Sequence, residues 1–231
     1  LPSESSFKRV LERAGLTQPR KRRRVANCGR IAAGRKAQSP NDVWTVDFNG
    51  WWYGRDQQRV EPLTVRDEHS FMILELRPLE NARTETVRSC FEILFEKHGL
   101  PGAIRSDNGS PFASSNGLHG LSRLSAWWLA LGIDLERGRP GHPQDNGAHE
   151  RRHLDVSREL ESLRIGREQD AFEQWRQEFN TERPHETLGM AVPAEVYRPS
   201  EKKYEGTPDE LDYEGLETRR VNSRHGTIKY N

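Results

Sequence analysis

Val43-Trp44-Thr45-Val46-Asp47-Phe48 decides the fold, because it alternates apolar and polar side chains as a strand does until Asp47 interrupts it. An acid inside an apolar strand costs free energy unless something compensates its charge, so Asp47 marks a position with a purpose. Downstream, Pro62 to Arg66 and Ser70 to Leu76 read as two more strands. Arg66-Asp67-Glu68-His69 is the polar connector of a hairpin between them, and three adjacent antiparallel strands follow. From Thr84 to His98, apolar residues at Val87, Cys90, Phe91, Leu94 and Phe95 have the spacing that paints one helix face, and Gly99 ends the helix.

Ala103-Ile104-Arg105-Ser106 is a short strand running into Asp107-Asn108-Gly109, a turn that Asn and Gly favour through left-handed backbone geometry. A helix around Leu121 to Leu131 and a strand at Ile133 to Glu136 come next. Pro140-Gly141-His142-Pro143-Gln144-Asp145-Asn146-Gly147 then opens a long helix that contains Glu150 and runs past Leu160. A last helix spans about Asp170 to Asn180, with Phe172, Trp175, Gln177 and Phe179 on a partly apolar face. The order of elements is that of an α/β domain.

With 33% hydrophobic and 31% charged residues, the core must be concentrated in part of the chain, between polar arms. No apolar run approaches membrane-spanning length, and no cationic start followed by an apolar stretch marks a signal peptide. Residue 1 is Leu, so the chain reads as starting mid-protein. Cys28 and Cys90 have no metal-type spacing and fit a reducing cytosol. The net charge of +1 conceals an asymmetry: Arg13 to Ser39 holds nine Lys or Arg residues and no acid. Within it, Arg20, Lys21, Arg22, Arg23 and Arg24 form an extended arm suited to neutralising phosphates, although such a run alone is equally a solvated linker. Glu201 to Glu217 is acid-rich, contains Pro208 and reads as a spacer.

Asp47 in one strand, Asp107 at the end of another and Glu150 on a helix are far apart in sequence but can converge over one sheet edge. Hard cations such as Mg²⁺ or Mn²⁺ prefer oxygen ligands with open water positions, which a few carboxylates on rigid elements supply. Two such ions clamp the attacking and leaving oxygens of an in-line phosphoryl displacement. Any one of these acids, taken alone, is more often a surface or capping residue.

Four ordered stretches, VWTVDFNGWW, AIRSDNGSPF, GHPQDNGAHERRH and FNTERPHETLGMAVPAEVY, resemble the integrase-type core of bacterial insertion-sequence transposases, which belong with the retroviral integrases. The likeness covers roughly Asp42 to Pro199. It implies a ribonuclease H-like fold with a five-stranded mixed sheet flanked by helices. It also implies a DDE triad of Asp47, Asp107 and Glu150, with Asp47 bridging two ions, Asp107 completing one metal site and Glu150 the other. The interval from Asp107 to Glu150 is longer than usual for this superfamily, and the Gly- and Ser-rich stretch from Ser114 to Arg123 supplies the extra length as a loop. The expected organisation is the end of a helix-turn-helix region and basic linker at residues 1–41, the catalytic core at 42–199, and an acidic spacer with the start of a small C-terminal β module at 200–231. Phe7 to Leu16 resembles the last helix of the first region, and Thr218 to Val221 with Gly226 to Tyr230 resemble two strands of the last.

His149-Glu150-Arg151-Arg152-His153 is also a literal H-E-x-x-H, the pattern of zinc proteases. Two arginines inside it would face cationic zinc, and Asp47 and Asp107 would have no task, so the two-metal reading is preferred. His142, Asn146, Arg151, Arg152 and His153 are candidate DNA contacts beside the third acid, against structural or solvated readings of each. Arg183, Pro184 and His185 read as a structural closure of the core, and the pairs Trp51-Trp52 and Trp127-Trp128 as packing residues rather than base-stacking surfaces. The expected activity is DNA strand cleavage and strand transfer on double-stranded DNA by a homo-oligomer, in the bacterial cytoplasm at the nucleoid. A catalytically silent DNA-binding descendant is the alternative.

Overall fold

The computed structural model describes residues 31–32, 34–48, 52–53, 57, 59–79, 81–114, 117–137 and 169–208. The strands are β1 (Ile31–Ala32), β2 (Val43–Phe48), β3 (Trp52–Tyr53), β4 (Arg59–Val60), β5 (Pro62–Asp67), β6 (Ile73–Pro78), β7 (Ala103–Ser106) and β8 (Asp134–Arg137). The α-helices are α1 (Thr84–His98), α2 (Arg123–Ala130), α3 (Gln169–Glu182) and the single turn α4 (Pro193–Val196). The main sheet runs β1-β8-β7-β2-β5-β6. Its first four members are parallel, and β5 and β6 are antiparallel additions. The five strands expected of the core are therefore joined by a sixth. Two residues of the basic linker, Ile31–Ala32, lie parallel to β8 and cover what would be an open edge.

Alternation along the strands divides the sheet into unlike faces. Trp44 and Val46 of β2 join Leu63, Val65, Ile104 and Leu135 in a core closed by Val87, Phe91, Leu94 and Phe95 of α1 and Leu124, Trp127 and Trp128 of α2. Thr45 and Asp47 take the other side. A bulge near Val65 and Arg66, whose partners are Glu75 and Ile73, leaves Leu74 without a partner. It sends Leu74 into the α1 core, while Ile73 joins Leu76 in a second cluster with Trp52, Val60, Phe172 and Trp175. The packing reading holds for Trp52, Trp127 and Trp128, which are all buried. The short pair β3–β4 that seats Trp52 was not anticipated.

α1 matches the expected span, with Glu85 in its first turn and Lys97 in its last, as the helix dipole favours. Gly99 ends it with φ 76°, where a Cβ would stand 2.7 Å from the Lys202 carbonyl oxygen. Ser122 starts α2 with a reciprocal cap, its Oγ accepting from the Ser125 N–H while Ser125 Oγ accepts from the Ser122 N–H. β6 begins three residues later than Ser70, because the turn is longer than the sequence suggests. Asp67 accepts from the Ser70 N–H at 2.8 Å and from its hydroxyl at 2.6 Å, and Phe71 adopts φ 63°.

The start of β2 is locked by buried polar groups. Asn41 donates its backbone N–H to Asp67 Oδ1 at 2.7 Å, and its side-chain oxygen accepts from Trp44 Nε1 and the Tyr197 hydroxyl, both at 3.0 Å. The Tyr197 oxygen also lies 3.2 Å from His98 Nδ1. Burial, with the nearby Lys97 and Arg176 charges, holds His98 down at about 4, so the ring is neutral near pH 7. Residues 200–207, read from the sequence as the start of a spacer, have no regular structure and lie against α1 and α2. Leu100 donates to the Lys202 carbonyl at 2.7 Å, Tyr204 packs on Phe95 and Trp127, and Thr207 Oγ1 accepts from Trp127 Nε1 at 2.8 Å.

α3 closes the β6 edge of the sheet. Asn180 accepts from the Ile73 N–H and donates to the Ile73 carbonyl, both at 2.9 Å, so a single amide takes the place of a neighbouring strand. Arg176 adds a bond to the same carbonyl at 3.0 Å. The buried face of α3 is therefore Phe172, Trp175, Arg176 and Asn180, and Gln177, expected on that face, is exposed. Replacing Asn180 by Leu should cost about 1–3 kcal/mol, since it strands the Ile73 N–H while Arg176 still serves the carbonyl. Urea denaturation of Asn180→Leu against the parent checks this.

Candidate active site

β7 is paired with β2 in parallel, Val43 opposite Ala103, Trp44 opposite Ile104 and Thr45 opposite Arg105. Continued by two residues, this register sets Asp47 level with Asp107, on neighbouring strands whose spacing is about 4.8 Å. The ladder stops at Ser106, so Asp107 stands just beyond the strand end, where it is exposed, while Asp47 remains half-buried. Burial and the neighbouring Asp107 charge push the Asp47 carboxyl up to about 7, against the lowering effect of the Phe48 backbone N–H. Two like-charged carboxylates held this way are stabilised by a cation between them.

The turn after Asp107 is built differently from the sequence expectation. Neither Asn108 nor Gly109 has a positive φ. Space for the carboxylate matters instead: the Gly109 N–H donates to Asp107 Oδ1 at 3.0 Å, and a Cβ there would meet Asp107 Oδ2 at 2.8 Å and displace it from this position. Phe112 anchors the rest of the loop, its ring 5.6 Å from Phe48 and stacked at 6.2 Å on Trp128. Arg137, opposite Ser106 on β8, is buried and donates to the carbonyls of Gly120 and Phe112 at 3.0 and 3.1 Å and to Ser125 Oγ at 3.2 Å. Sequence reasoning missed Arg137; its signal was a charged residue at the next inward position of an alternating stretch, after Ile133 and Leu135.

A second group of charges lies on the same face. Arg105 pairs with Glu136 at 2.7 Å and with Glu68 at 2.6 Å, and Arg35 Nε lies 3.2 Å from Glu136. Of the acids read from the sequence, the fold brings Asp47 and Asp107 together. Glu150 lies outside the described residues, as do His142, Asn146, Arg151, Arg152, His153 and the basic run Arg20, Lys21, Arg22, Arg23 and Arg24. Among the described residues no group of three His, Cys, Asp or Glu side chains is placed to hold a metal ion. The two acids that are described offer the oxygen donors a hard cation prefers.

Two family models described as "Integrase core domain" match this chain, one over residues 37–143 and one over residues 131–193. A protein of insertion element IS407 from Burkholderia multivorans is 26% identical over 193 residues, covering 81% of this chain and 66% of that protein. A protein of insertion element IS476 from Xanthomonas euvesicatoria is 25% identical over 191 residues, covering 81% of this chain and 53% of that protein. The chain thus spans about two thirds of one curated relative and about half of the other. Among solved structures, a chain of the simian T-cell lymphotropic virus intasome in complex with PP2A regulatory subunit B56 gamma has a TM-score of 0.58 at 15% identity, over 80% of this chain and 68% of that one. The catalytic core domain of BIV integrase has a TM-score of 0.50 at 21% identity, over 68% of this chain and 93% of that one. The fold is that of the integrase cores, a ribonuclease H-like sheet flanked by helices.

The raised Asp47 carboxyl makes the acid pair a stability cost whose sign can be worked out. In the folded protein Asp47 titrates near 7, against 3.8 as its ordinary value, so the fold binds a proton that the unfolded chain releases. Stability of the metal-free protein therefore falls as pH rises from about 4 to about 7. Asp47→Asn is expected to stabilise that protein at pH 8 by on the order of 2–3 kcal/mol, and by much less at pH 4. Thermal unfolding in EDTA at the two pH values measures both arms.

Proposed function

We propose that this chain, an insertion-sequence transposase by its integrase catalytic core, cuts one DNA strand at a transposon end and joins the freed 3′-hydroxyl to target DNA. The observation that carries the reading is the acid pair: Asp47 on β2 and Asp107 just past the end of the neighbouring parallel strand β7, close enough for the charge of Asp107 to raise the Asp47 carboxyl. Glu150, in the order expected of the family, completes the triad in this proposal.

Bound at these acids, Mg²⁺ or Mn²⁺ would supply Lewis-acid stabilisation of charge at phosphorus and activate the attacking oxygen. The chain's own contribution is placement. β2 holds Asp47 on a rigid strand with its neighbour Phe48 locked against Phe112, and the Gly109 N–H fixes one oxygen of Asp107. Such rigidity serves in-line displacement, in which small errors of position are costly. The basic run from Arg20 to Arg24 and the residues His142, Asn146, Arg151, Arg152 and His153 are assigned to DNA, through phosphate contacts that position the duplex. Two DNA ends must be held together for transposition, which calls for a homo-oligomer. No helix among the described residues is long and apolar enough to cross a membrane. The proposed place of action is the cytoplasm, at the nucleoid.

The test uses full-length protein, labelled DNA carrying the element's own ends, and Mg²⁺ or Mn²⁺. Asp47→Asn, Asp107→Asn and Glu150→Gln are each expected to lower cleavage by at least roughly a hundredfold while DNA binding persists. Cleavage unchanged in Asp47→Asn and Glu150→Gln would refute the assignment. DNA binding by the parent with no metal-dependent cleavage would instead identify a silent descendant.

A further inference from the structure

Arg105 stands two residues before Asp107 on β7 and level with Thr45, itself two residues before Asp47. Residues two apart on a strand share a face and lie about 6.7 Å from one another, well within the reach of an arginine side chain. Its guanidinium nevertheless goes elsewhere. Nε and Nη2 donate to Glu136 Oε2 at 2.9 and 2.7 Å, Nη1 lies 2.6 Å from Glu68 Oε2, and Nη2 also donates to the Arg35 carbonyl. Glu68 donates its own N–H to the Val43 carbonyl, so it sits by the opposite end of β2 from Asp47. Arg105 is thus drawn back along the sheet, away from the acid pair.

Arg35 and Arg105 face Glu68 and Glu136, Arg35 also lies 3.6 Å from Asp134, and Glu136 is 1% exposed with Arg105 at 10%. A largely buried guanidinium needs carboxylate partners; with Glu68 and Glu136 neutral, Asp134 is held by Arg35, and the other carboxylates on the Arg105 face among the described residues are Asp47 and Asp107. An arginine fork on those oxygens would occupy them and cancel the charge that attracts a cation. The charge acting on Asp47 is that of Asp107, and Arg105 is not among the groups that perturb it.

We propose that Glu68 and Glu136 are positioning residues that hold the Arg105 guanidinium away from Asp47 and Asp107 and so keep the acid pair open to divalent cations. This rests on the reading of the acid pair as a metal site. A purely structural cluster and a sequestering one differ in the effect of removing Arg105 once its partners are gone: the first is damaged further, the second is relieved.

The measurement is Mn²⁺ binding to the full chain by calorimetry at one fixed pH, with thermal unfolding run on every variant. Glu68→Gln/Glu136→Gln is expected to weaken Mn²⁺ binding by roughly tenfold. Adding Arg105→Met, which leaves the cluster only the Arg35–Asp134 pair, is expected to restore it to within about threefold of the parent. Glu136→Gln alone, and with Arg105→Met, gives the same comparison with a smaller disturbance of the fold. Binding in the double variant equal to the parent, or a triple variant as weak as the double, overturns the sequestration proposal alone. Asp47→Asn/Asp107→Asn is the control: if it binds Mn²⁺ as the parent does, the metal-site reading falls and the sequestration proposal with it.

Discussion

Parallel pairing between β2 and β7 sets two carboxylates side by side, and the chain holds that register from the far end of the strands. Gly102 donates to the Asn41 carbonyl at 2.8 Å and Ala103 to that of Asp42 at 3.0 Å. Gly102 allows the approach, since a Cβ there would meet the Asp42 carbonyl oxygen at 3.0 Å. Asn41 is in turn fixed by Asp67, Trp44 and Tyr197. A slip of one residue would turn Asp107 to the apolar face and leave Asp47 alone. The repulsion between the acids is thus opposed by a buried polar lock several residues away, which gains nothing from the acids themselves.

The two faces of the sheet divide the labour. Aromatic rings from α1 and α2 fill one face, where tight packing among Trp44, Phe91, Phe95, Phe112 and Trp128 supplies rigidity. The other face carries Thr45, Thr64, Arg66 and Glu136 in buried positions, an expensive choice for stability alone. Phe112 connects the two, since its ring belongs to the apolar core and its carbonyl to the loop that follows Asp107. Rigidity made on one side is delivered to chemistry on the other.

Much of this was legible in the sequence because it depends on local periodicity. Strand β2 with its acid, helix α1 with its apolar stripe and strand β7 running into Asp107 follow from residue spacing, and the ribonuclease H-like class is what the resemblance of the motifs implied. What could not be read depends on partners distant in the chain. Asn180 looked like an ordinary polar residue ending an amphipathic helix, and only the exposed edge at Ile73 gives it a task. Arg105 and Glu136 carry no local signal of their task, because their pairing requires β7 and β8 to be neighbours. Gly109 was expected for its backbone freedom, and its actual task, leaving room for the Asp107 carboxylate, is visible only once both groups are placed. The bulge at Leu74 left no sequence signal at all, since Ile73, Leu74 and Leu76 are all apolar.

Residues 200–207 carry a consequence for how the molecule is divided. Similarity to the integrase models ends at residue 193, and a cut there or at 199 looks natural by alignment. Yet Ser200 and Lys202 bond the end of α1, and Tyr204 and Thr207 cover Phe95 and Trp127. Trimming the chain at the limit of the family models would peel away this cover and expose aromatic surface that the protein keeps from water. A fragment meant to preserve the packed α1–α2 face has to reach past Thr207, beyond the last residue that those models match.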